Sequence, residues 1–183
     1  VRQTRITPRR FGLTRLNKRG LMVTAIITLV GESDSGKTMV ASELIRILTE
    51  EGYKVAAVKH CPHGHDVDKE GSDTYRMALA GASTVIAVSP NKVTKIERTE
   101  SDLSLELIVK ALDGFDLVIA EGFRDNKTPK ILVQRSDGHP YTGPILTATA
   151  AVGDTGPFSA LTCFRFDEIP ELATYIRNRF LTS

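Results

Sequence analysis

Hydrophobic and polar positions along the chain form short apolar runs separated by stretches with helical spacing. Residues 25–30 are a β-branched apolar run long enough for a buried strand. Residues 39–48 follow with apolar side chains at helical spacing, and residues 54–59 form a second apolar run. Two strands joined by one helix make a parallel unit with a right-handed crossover. The pattern therefore predicts an α/β fold built on a mostly parallel sheet.

Later stretches extend this pattern. A short capped helix is predicted over residues 72–80, followed by a strand over residues 84–88 and an alternating strand over residues 92–98. The Pro90-Asn91 turn between the two strands indicates a hairpin, which we expect to extend the parallel sheet in the antiparallel sense. The other predicted elements are helices over residues 101–112 and 168–180 and strands over residues 115–123, 129–134 and 145–152.

The first strand and helix flank a motif of the form G-x-x-x-x-G-K-[ST], the phosphate-binding P-loop. Its glycines let backbone N–H groups turn inward around an anion at the positive end of the following helix. Lys37 can reach the β- and γ-phosphates, and the Thr38 hydroxyl suits Mg²⁺. A P-loop NTPase three-layer fold is the prediction. The candidate nucleotide-binding residues here are Gly31, Glu32, Ser33, Asp34, Ser35, Gly36, Lys37, Thr38 and Met39.

A P-loop enzyme needs a second acid near Mg²⁺, at the C-terminal end of a buried strand beside the P-loop strand. Glu121 stands at that end of the strand predicted over residues 115–123. Asp116 stands at its start, about 16 Å away along an extended chain. Glu121 is therefore the candidate catalytic carboxylate and Mg²⁺ ligand, and a simple cap on the strand end is the alternative.

A polar segment over residues 60–73 follows the second strand, where ligands of open α/β sheets bind. One interpretation is a transition-metal site, because imidazole and thiolate suit zinc. A second is a solvated loop. In the third, a switch-like loop, Asp66 or Asp68 faces Mg²⁺ or the attacking group. The candidate metal ligands are His60, Cys61, His63 and His65, and the candidate contacts to phosphates or an anionic partner are Lys59, His60 and Lys69.

Charge is unevenly distributed along the 183 residues. Residues 1–22 hold seven basic residues and no acidic one; removing those seven from the 24 basic residues leaves 17 against 22 acidic, a net charge of −5. Nucleic acid is therefore not the expected partner. The arm could be a disordered basic tail, a transit-like segment, or upstream sequence included by the choice of start site. We favour the third, with Met22 opening a single nucleotide-binding domain over residues 23–183.

Apolar content sets the expected environment. With 41% hydrophobic residues the chain can bury a core, and no apolar run approaches the roughly 18 residues of a membrane span. Cys61 and Cys163 are far apart and form no CxxC pair. A cytoplasmic protein with no membrane partner is the expectation.

Taken together, the motifs resemble the MobB family of molybdopterin-guanine dinucleotide biosynthesis proteins. The family pattern is a P-loop, a Lys-His strand end, an acidic loop and a Glu-Gly-Phe strand end, matched here by Lys59-His60, Asp66 to Asp73 and Glu121 to Phe123. The acidic loop departs from the family, because Glu70-Gly71-Ser72-Asp73 replaces Pro-Gly-Lys-Asp. The proline and lysine of the family's loop are therefore absent here.

The resemblance implies a GTP-binding protein with weak GTPase activity and bound Mg²⁺, usually a homodimer. Such a protein would assist the guanylyltransferase that joins GMP to molybdopterin or its molybdenum form. The usual guanine motif N-K-x-D is missing, because residues 126–129 are Asn-Lys-Thr-Pro. Asp154, at the end of a late strand, is a candidate for that role, and a turn residue is the alternative.

Two other functions stay open on sequence. A small-molecule kinase would need an arginine-rich lid, which the segment over residues 60–73 lacks. A non-catalytic module would use the nucleotide as a structural ligand or deliver substrate to a partner. The reaction products distinguish the three functions. Free phosphate alone indicates a GTPase, a phosphorylated metabolite indicates a kinase, and hydrolysis near background indicates a binding module.

Overall fold

A computed structural model describes residues 24–65, 68–112, 114–153 and 161–182. Asp66, Asp154 and the basic arm lie outside the described residues. The described residues form two compact units. The sheet unit comprises residues 24–60 and 105–182, and the hairpin unit comprises residues 61–104.

Eight strands and four helices follow one another along the described chain. The strands are β1 (Ala25–Val30), β2 (Val55–Lys59), β3 (Thr84–Ser89), β4 (Lys92–Glu97), β5 (Leu117–Glu121), β6 (Lys130–Gln134), β7 (Ala148–Gly153) and β8 (Thr162–Phe164). The helices are α1 (Lys37–Glu50), α2 (Asp73–Leu79), α3 (Leu105–Lys110) and α4 (Ile169–Ile176), and a π-helical segment (Arg177–Leu181) continues α4.

The sheet unit is built on six parallel strands in the order β2-β5-β1-β6-β7-β8. The P-loop strand β1 lies between β5 and β6, and in this register Leu29 pairs with Glu121. Both faces of the central strands are buried, which explains their continuous apolar sequences. The carboxyl ends of all six strands therefore meet at one edge.

Helices α1 and α4 contribute their apolar faces to the larger core of the sheet unit. Alternate residues of β6 serve the two faces of the sheet: Ile131 and Val133 join this core, whereas Leu132 packs in a smaller cluster with Val30 and Ala151. The helix-derived core residues with no exposed surface are Val40, Leu44, Leu48, Leu172 and Ile176. This packing fixes the strand that leads into the P-loop.

The hairpin unit contains α2 and the antiparallel pair β3–β4, which forms a two-stranded sheet of its own. The turn brings Ser89 opposite Lys92, as the Pro90-Asn91 signal predicts. Ser72 caps α2, because its Oγ accepts a hydrogen bond from the Tyr75 backbone N–H at 3.1 Å. The predicted α/β class with a mostly parallel sheet and an antiparallel hairpin is confirmed. The expected extension of the parallel sheet is not found, because within the described residues β3 and β4 pair with each other and with no strand of the six-stranded sheet.

Three elements differ from the pattern-based prediction. Helix α3 begins at Leu105 rather than at 101, because the preceding serines and aspartate favour local hydrogen bonds over helix. Strand β7 begins at Ala148, since the Ala148 N–H donates to the Ile145 carbonyl at 2.8 Å and closes a turn. Strand β8 was missed by the prediction, as three residues are too few for periodicity to register.

Candidate functional site

The P-loop connects β1 to α1 in a backbone path that depends on glycine. A Cβ built on Gly31 would lie 2.2 Å from the Val133 carbonyl oxygen, so no side chain fits there. Gly36 precedes the first helical residue with φ of 95°, in the left-handed region. Asp34 also has positive φ, at 58°. These angles curl the loop around the N-terminus of α1, as an anion cradle requires.

Lys37 lies at the mouth of this loop. Its Nζ donates to the Glu32 carbonyl oxygen at 2.6 Å and lies 3.5 Å from Ser35 Oγ. Burial lowers the pKa of Lys37 from its ordinary value, and the Glu121 carboxylate opposes that shift. The ammonium is therefore held by loop oxygens at the place where a phosphate would offer stronger acceptors.

Glu121 ends β5 directly beside the P-loop. Its Oε2 accepts a hydrogen bond from Thr38 Oγ1 at 2.8 Å, and its Oε1 lies 3.2 Å from Lys59 Nζ. Asp116 at the other end of β5 instead accepts a hydrogen bond from the Lys54 N–H at 2.7 Å. Asp116 lies just before β5, and of these two acids Glu121 is the one that contacts the P-loop in the described structure.

The Thr38–Glu121 pair suits a divalent cation in its donor chemistry. A hydroxyl and a carboxylate oxygen 2.8 Å apart are two hard oxygen ligands converging on one point. Mg²⁺ binds through one or two protein oxygens together with phosphate oxygens and water. These two side chains therefore fit Mg²⁺ held jointly with a nucleotide.

The Lys-His and Glu-Gly-Phe segments depend on each other. The His60 N–H donates to the Glu121 carbonyl at 3.0 Å, and the His60 ring lies 4.9 Å from the Phe123 ring. Gly122, with φ of 89°, passes so close that a Cβ on it would lie 3.1 Å from the His60 Cβ. The two segments thus form one packed edge that orients the Glu121 carboxylate.

An ion pair that sequence alone did not indicate holds the start of the P-loop. Arg124, just after the Glu-Gly-Phe segment, contacts the Glu32 carboxylate at 2.8 Å and lies over the Tyr141 ring. The Thr142 N–H also donates to Glu32, at 3.3 Å. The Arg124 hydrogen bond is the main reason that the pKa of Glu32 lies below its usual range. The loop after β6 is thereby joined to the P-loop.

The Asn-Lys-Thr-Pro segment serves the structure of the sheet edge. Asn126 donates to Thr28 Oγ1 at 3.2 Å and accepts from Thr128 Oγ1 at 2.6 Å. Buried Lys130 donates to the Asn126 carbonyl and to Thr147 Oγ1. Desolvation lowers the pKa of Lys130. The Asn126 and Thr128 side chains thus form hydrogen bonds within the sheet unit.

The acidic loop belongs to the hairpin unit and is described there only in part. Asp68 Oδ1 accepts hydrogen bonds from Ser72 Oγ at 2.9 Å and Thr74 Oγ1 at 2.8 Å, at the start of α2. Its Oδ2 is buried without a partner. Within the described ranges, no three His, Cys, Asp or Glu side chains lie close enough to hold a metal ion. The roles predicted for Asp66, Asp68 and Asp154 stay predictions.

The remaining predicted residues lie around the loop. Ser35 is buried, Met39 is 44% exposed at the start of α1, and Lys59 ends β2 beside Glu121.

Among the helices that the structure describes, none has the length and apolar character to span a bilayer.

The chain matches a protein family described as molybdopterin guanine dinucleotide synthesis protein B, over residues 26–152. It is 33% identical over 156 residues to a Haemophilus influenzae protein named molybdopterin-guanine dinucleotide biosynthesis adapter protein, spanning 84% of this chain and 88% of that one. An Escherichia coli protein of the same name is 31% identical over 125 residues, or 66% of this chain and 71% of the relative.

Solved structures agree with this similarity. A crystal structure of molybdopterin-guanine biosynthesis protein B is 30% identical with a TM-score of 0.66, covering 84% of this chain and 98% of that one. Bacillus subtilis MobB has a TM-score of 0.69 at 22% identity over 85% of this chain and 98% of its own, which supports the fold.

Proposed function

This chain belongs to the molybdopterin-guanine dinucleotide synthesis protein B (MobB) family, and from that premise we propose that it is an accessory protein of molybdenum cofactor biosynthesis that binds GTP with Mg²⁺. The observation that carries the nucleotide site is the 2.8 Å contact between Thr38 of the P-loop and Glu121 of the neighbouring strand. The family membership carries the pathway, since the relatives are named for an adapter role in molybdopterin-guanine dinucleotide biosynthesis.

Each site residue has a distinct task in this proposal. The P-loop N–H groups and Lys37 bind the phosphates, and Lys37 exchanges the Glu32 carbonyl for a phosphate oxygen. Thr38 and Glu121 would hold Mg²⁺, which would neutralise charge on the phosphates of the nucleotide. Lys59 Nζ, 3.2 Å from Glu121 Oε1, helps to orient that carboxylate toward the P-loop.

Hydrolysis is slow in this proposal because little activates the attacking water. Arg124, the arginine next to Glu121 in sequence, is committed to the Glu32 carboxylate at 2.8 Å. An arginine held in this way cannot act as an arginine finger, and P-loop proteins that lack one turn over slowly. The protein therefore holds GTP and acts on a guanylyltransferase that transfers GMP to molybdopterin. We further propose that it works in the cytoplasm as a homodimer.

Calorimetric titration of GTP with and without Mg²⁺ tests the nucleotide site. Lys37→Ala should weaken GTP binding by at least about 30-fold, because a hydrogen-bonded charge pair is lost. Glu121→Gln should remove most of the gain that Mg²⁺ gives, about tenfold. Asp116→Asn, just before the same strand, is the matched control and should keep that gain, since the Asp116 carboxylate accepts from the Lys54 N–H at the opposite end of the strand.

Product analysis and partner addition complete the test. Free phosphate as the sole product, and tighter GTP retention when a molybdenum cofactor guanylyltransferase is added, are the expected results. A preference for ATP over GTP, a phosphorylated metabolite, or no response to the partner would each count against the proposal.

A further inference from the structure

The sheet order indicates where the nucleoside part of a bound nucleotide must lie. Glu121 ends β5 on one side of β1, whereas β6, β7 and β8 all lie on the other side. In the proposed function, on which this inference rests, Mg²⁺ and the terminal phosphates lie at the Thr38–Glu121 contact. Because ligands bind beyond the carboxyl ends of parallel strands, the ends of β6 to β8, on the side of β1 away from Glu121, are candidate positions for the sugar and base.

An arginine and an aromatic ring meet at those strand ends. Arg135 directly follows β6, and Phe166 follows β8 by two residues. The Arg135 guanidinium lies over the Phe166 ring, 5.4 Å from its centroid. A Cβ built on Gly36 would lie 3.2 Å from Phe166 Cε1 and 3.5 Å from Arg135 Nε. The pair therefore borders the P-loop on the side away from Glu121.

The two side chains differ in how they are held. Phe166 is half-buried and packs against the larger core, so its ring has a fixed position. Arg135 is exposed, and no carboxylate within the described part of the chain pairs with it. Arg124, by contrast, is bound to Glu32. The Arg135 guanidinium is thus an accessible planar cation, and the Phe166 ring contacts it through a cation–π interaction.

We propose that the Arg135 guanidinium, supported by Phe166, is the surface on which the base of the bound nucleotide stacks. Nucleobases stack on arginine planes and aromatic rings, and such stacking tolerates different bases because every base has a π-face. The contact supplies affinity for the base without reading its edge. Discrimination of guanine from adenine is left to other groups.

Titrations of the full chain in Mg²⁺ with GTP, ATP and inorganic tripolyphosphate test this assignment. Arg135→Gln and Arg135→Lys should each weaken GTP and ATP binding about tenfold, because lysine keeps the charge but lacks the plane. Both variants should bind tripolyphosphate, which has no base, as the wild type does. Phe166→Leu should weaken nucleotide binding by a smaller factor, with thermal unfolding showing that the fold is intact.

Arg179→Gln is the matched control, because Arg179 is also exposed and also lies over an aromatic ring, that of Tyr175 at 5.9 Å. It should change none of the affinities. An equal loss for tripolyphosphate would make Arg135 a phosphate ligand, and full GTP affinity in Arg135→Lys would exclude stacking; either result overturns the assignment. If the wild type binds neither GTP nor tripolyphosphate, the proposed function fails as well.

Discussion

Glu32 has an unusual position for a carboxylate, since it lies inside a loop built to attract anions. The Arg124 guanidinium at 2.8 Å and the Thr142 N–H at 3.3 Å compensate its charge. Arg124 in turn lies over the Tyr141 ring, at 5.4 Å from the centroid. The Glu32 carboxylate therefore connects three separate segments through charged hydrogen bonds. The stability that these contacts contribute must depend on pH.

The pKa of Glu32 is lowered in the folded state, chiefly by the hydrogen bond from Arg124. A carboxylate of this kind contributes stability above its unfolded pKa, and that contribution is lost as the pH falls through the folded value. Glu32→Gln should therefore be less stable than the wild type at pH 7 by about 0.5 kcal/mol. The difference should shrink below a pH of about 4. Urea unfolding between pH 7 and pH 3 measures it.

An Arg124→Gln background is the control for that experiment. If Arg124 is the cause, Glu32→Gln should have almost no pH-dependent effect on stability once the guanidinium is gone. A pH dependence that persists in the Arg124→Gln background would assign the effect to Thr142 or to the loop backbone.

At the scale of elements, the end of β5 combines a left-handed backbone angle with close packing against His60, directly after β2. Gly122 has φ of 89°, and a Cβ on it would lie 3.1 Å from the His60 Cβ, so His60 would have to shift slightly. Gly52, after α1, has a similar φ of 97° but no atom within 4 Å of a built Cβ. Comparing alanine substitutions at the two glycines therefore separates the cost of backbone strain from the cost of steric crowding.

Gly52→Ala should cost about 1 kcal/mol, the penalty of a left-handed residue with a side chain. Gly122→Ala should cost more, about 2 kcal/mol, because the neighbour must also move. In the proposed function it should also weaken Mg²⁺-dependent GTP binding, since Glu121 is the adjacent residue. Urea unfolding and calorimetry measure the two effects. Equal destabilisation by both substitutions would show that His60 yields without cost.

Strands and helices with a clear hydrophobic pattern of their own were predicted correctly from the sequence. The strand before the P-loop, β1, was predicted with its observed bounds. Within the last predicted helix, over residues 168–180, the apolar side chains Ile169, Leu172, Ile176 and Phe180 are all buried. Boundaries failed where polar residues close turns, as before α3. Strand β8 is held by its parallel pairing to β7, a contact that no local period encodes.

At the scale of the molecule, the site residues that could be predicted are those that directly follow a single strand in the sequence. The P-loop and Glu121 were identified because each follows a recognisable apolar run. The pairs Glu32–Arg124 and Arg135–Phe166 were missed, because each joins residues far apart in sequence through the strand order. Sheet topology, and not motif, brings them together.

The two units differ in how much core they contain. In the sheet unit, β1 and β5 have residues with 0% or 1% exposure on both faces. Among the described residues of the hairpin unit, Val85 is the single buried hydrophobic side chain, and α2 buries none. Local stability follows buried apolar contact, so the units should open at different free energies.

Native-state hydrogen exchange should therefore show β3, β4 and α2 exchanging through local opening, with β1 and β5 exchanging only on global unfolding. Val85→Ala should lower protection in β3 and β4 and leave β1 unchanged. Leu44→Ala removes a fully buried core side chain of the sheet unit and should cost about 3 kcal/mol, lowering protection throughout β1 and β5. Val85→Ala lowering β1 protection by the same amount as β3 would mean that the chain unfolds as one cooperative unit. Separate opening would instead leave the hairpin unit able to rearrange while the P-loop and Glu121 stay in place.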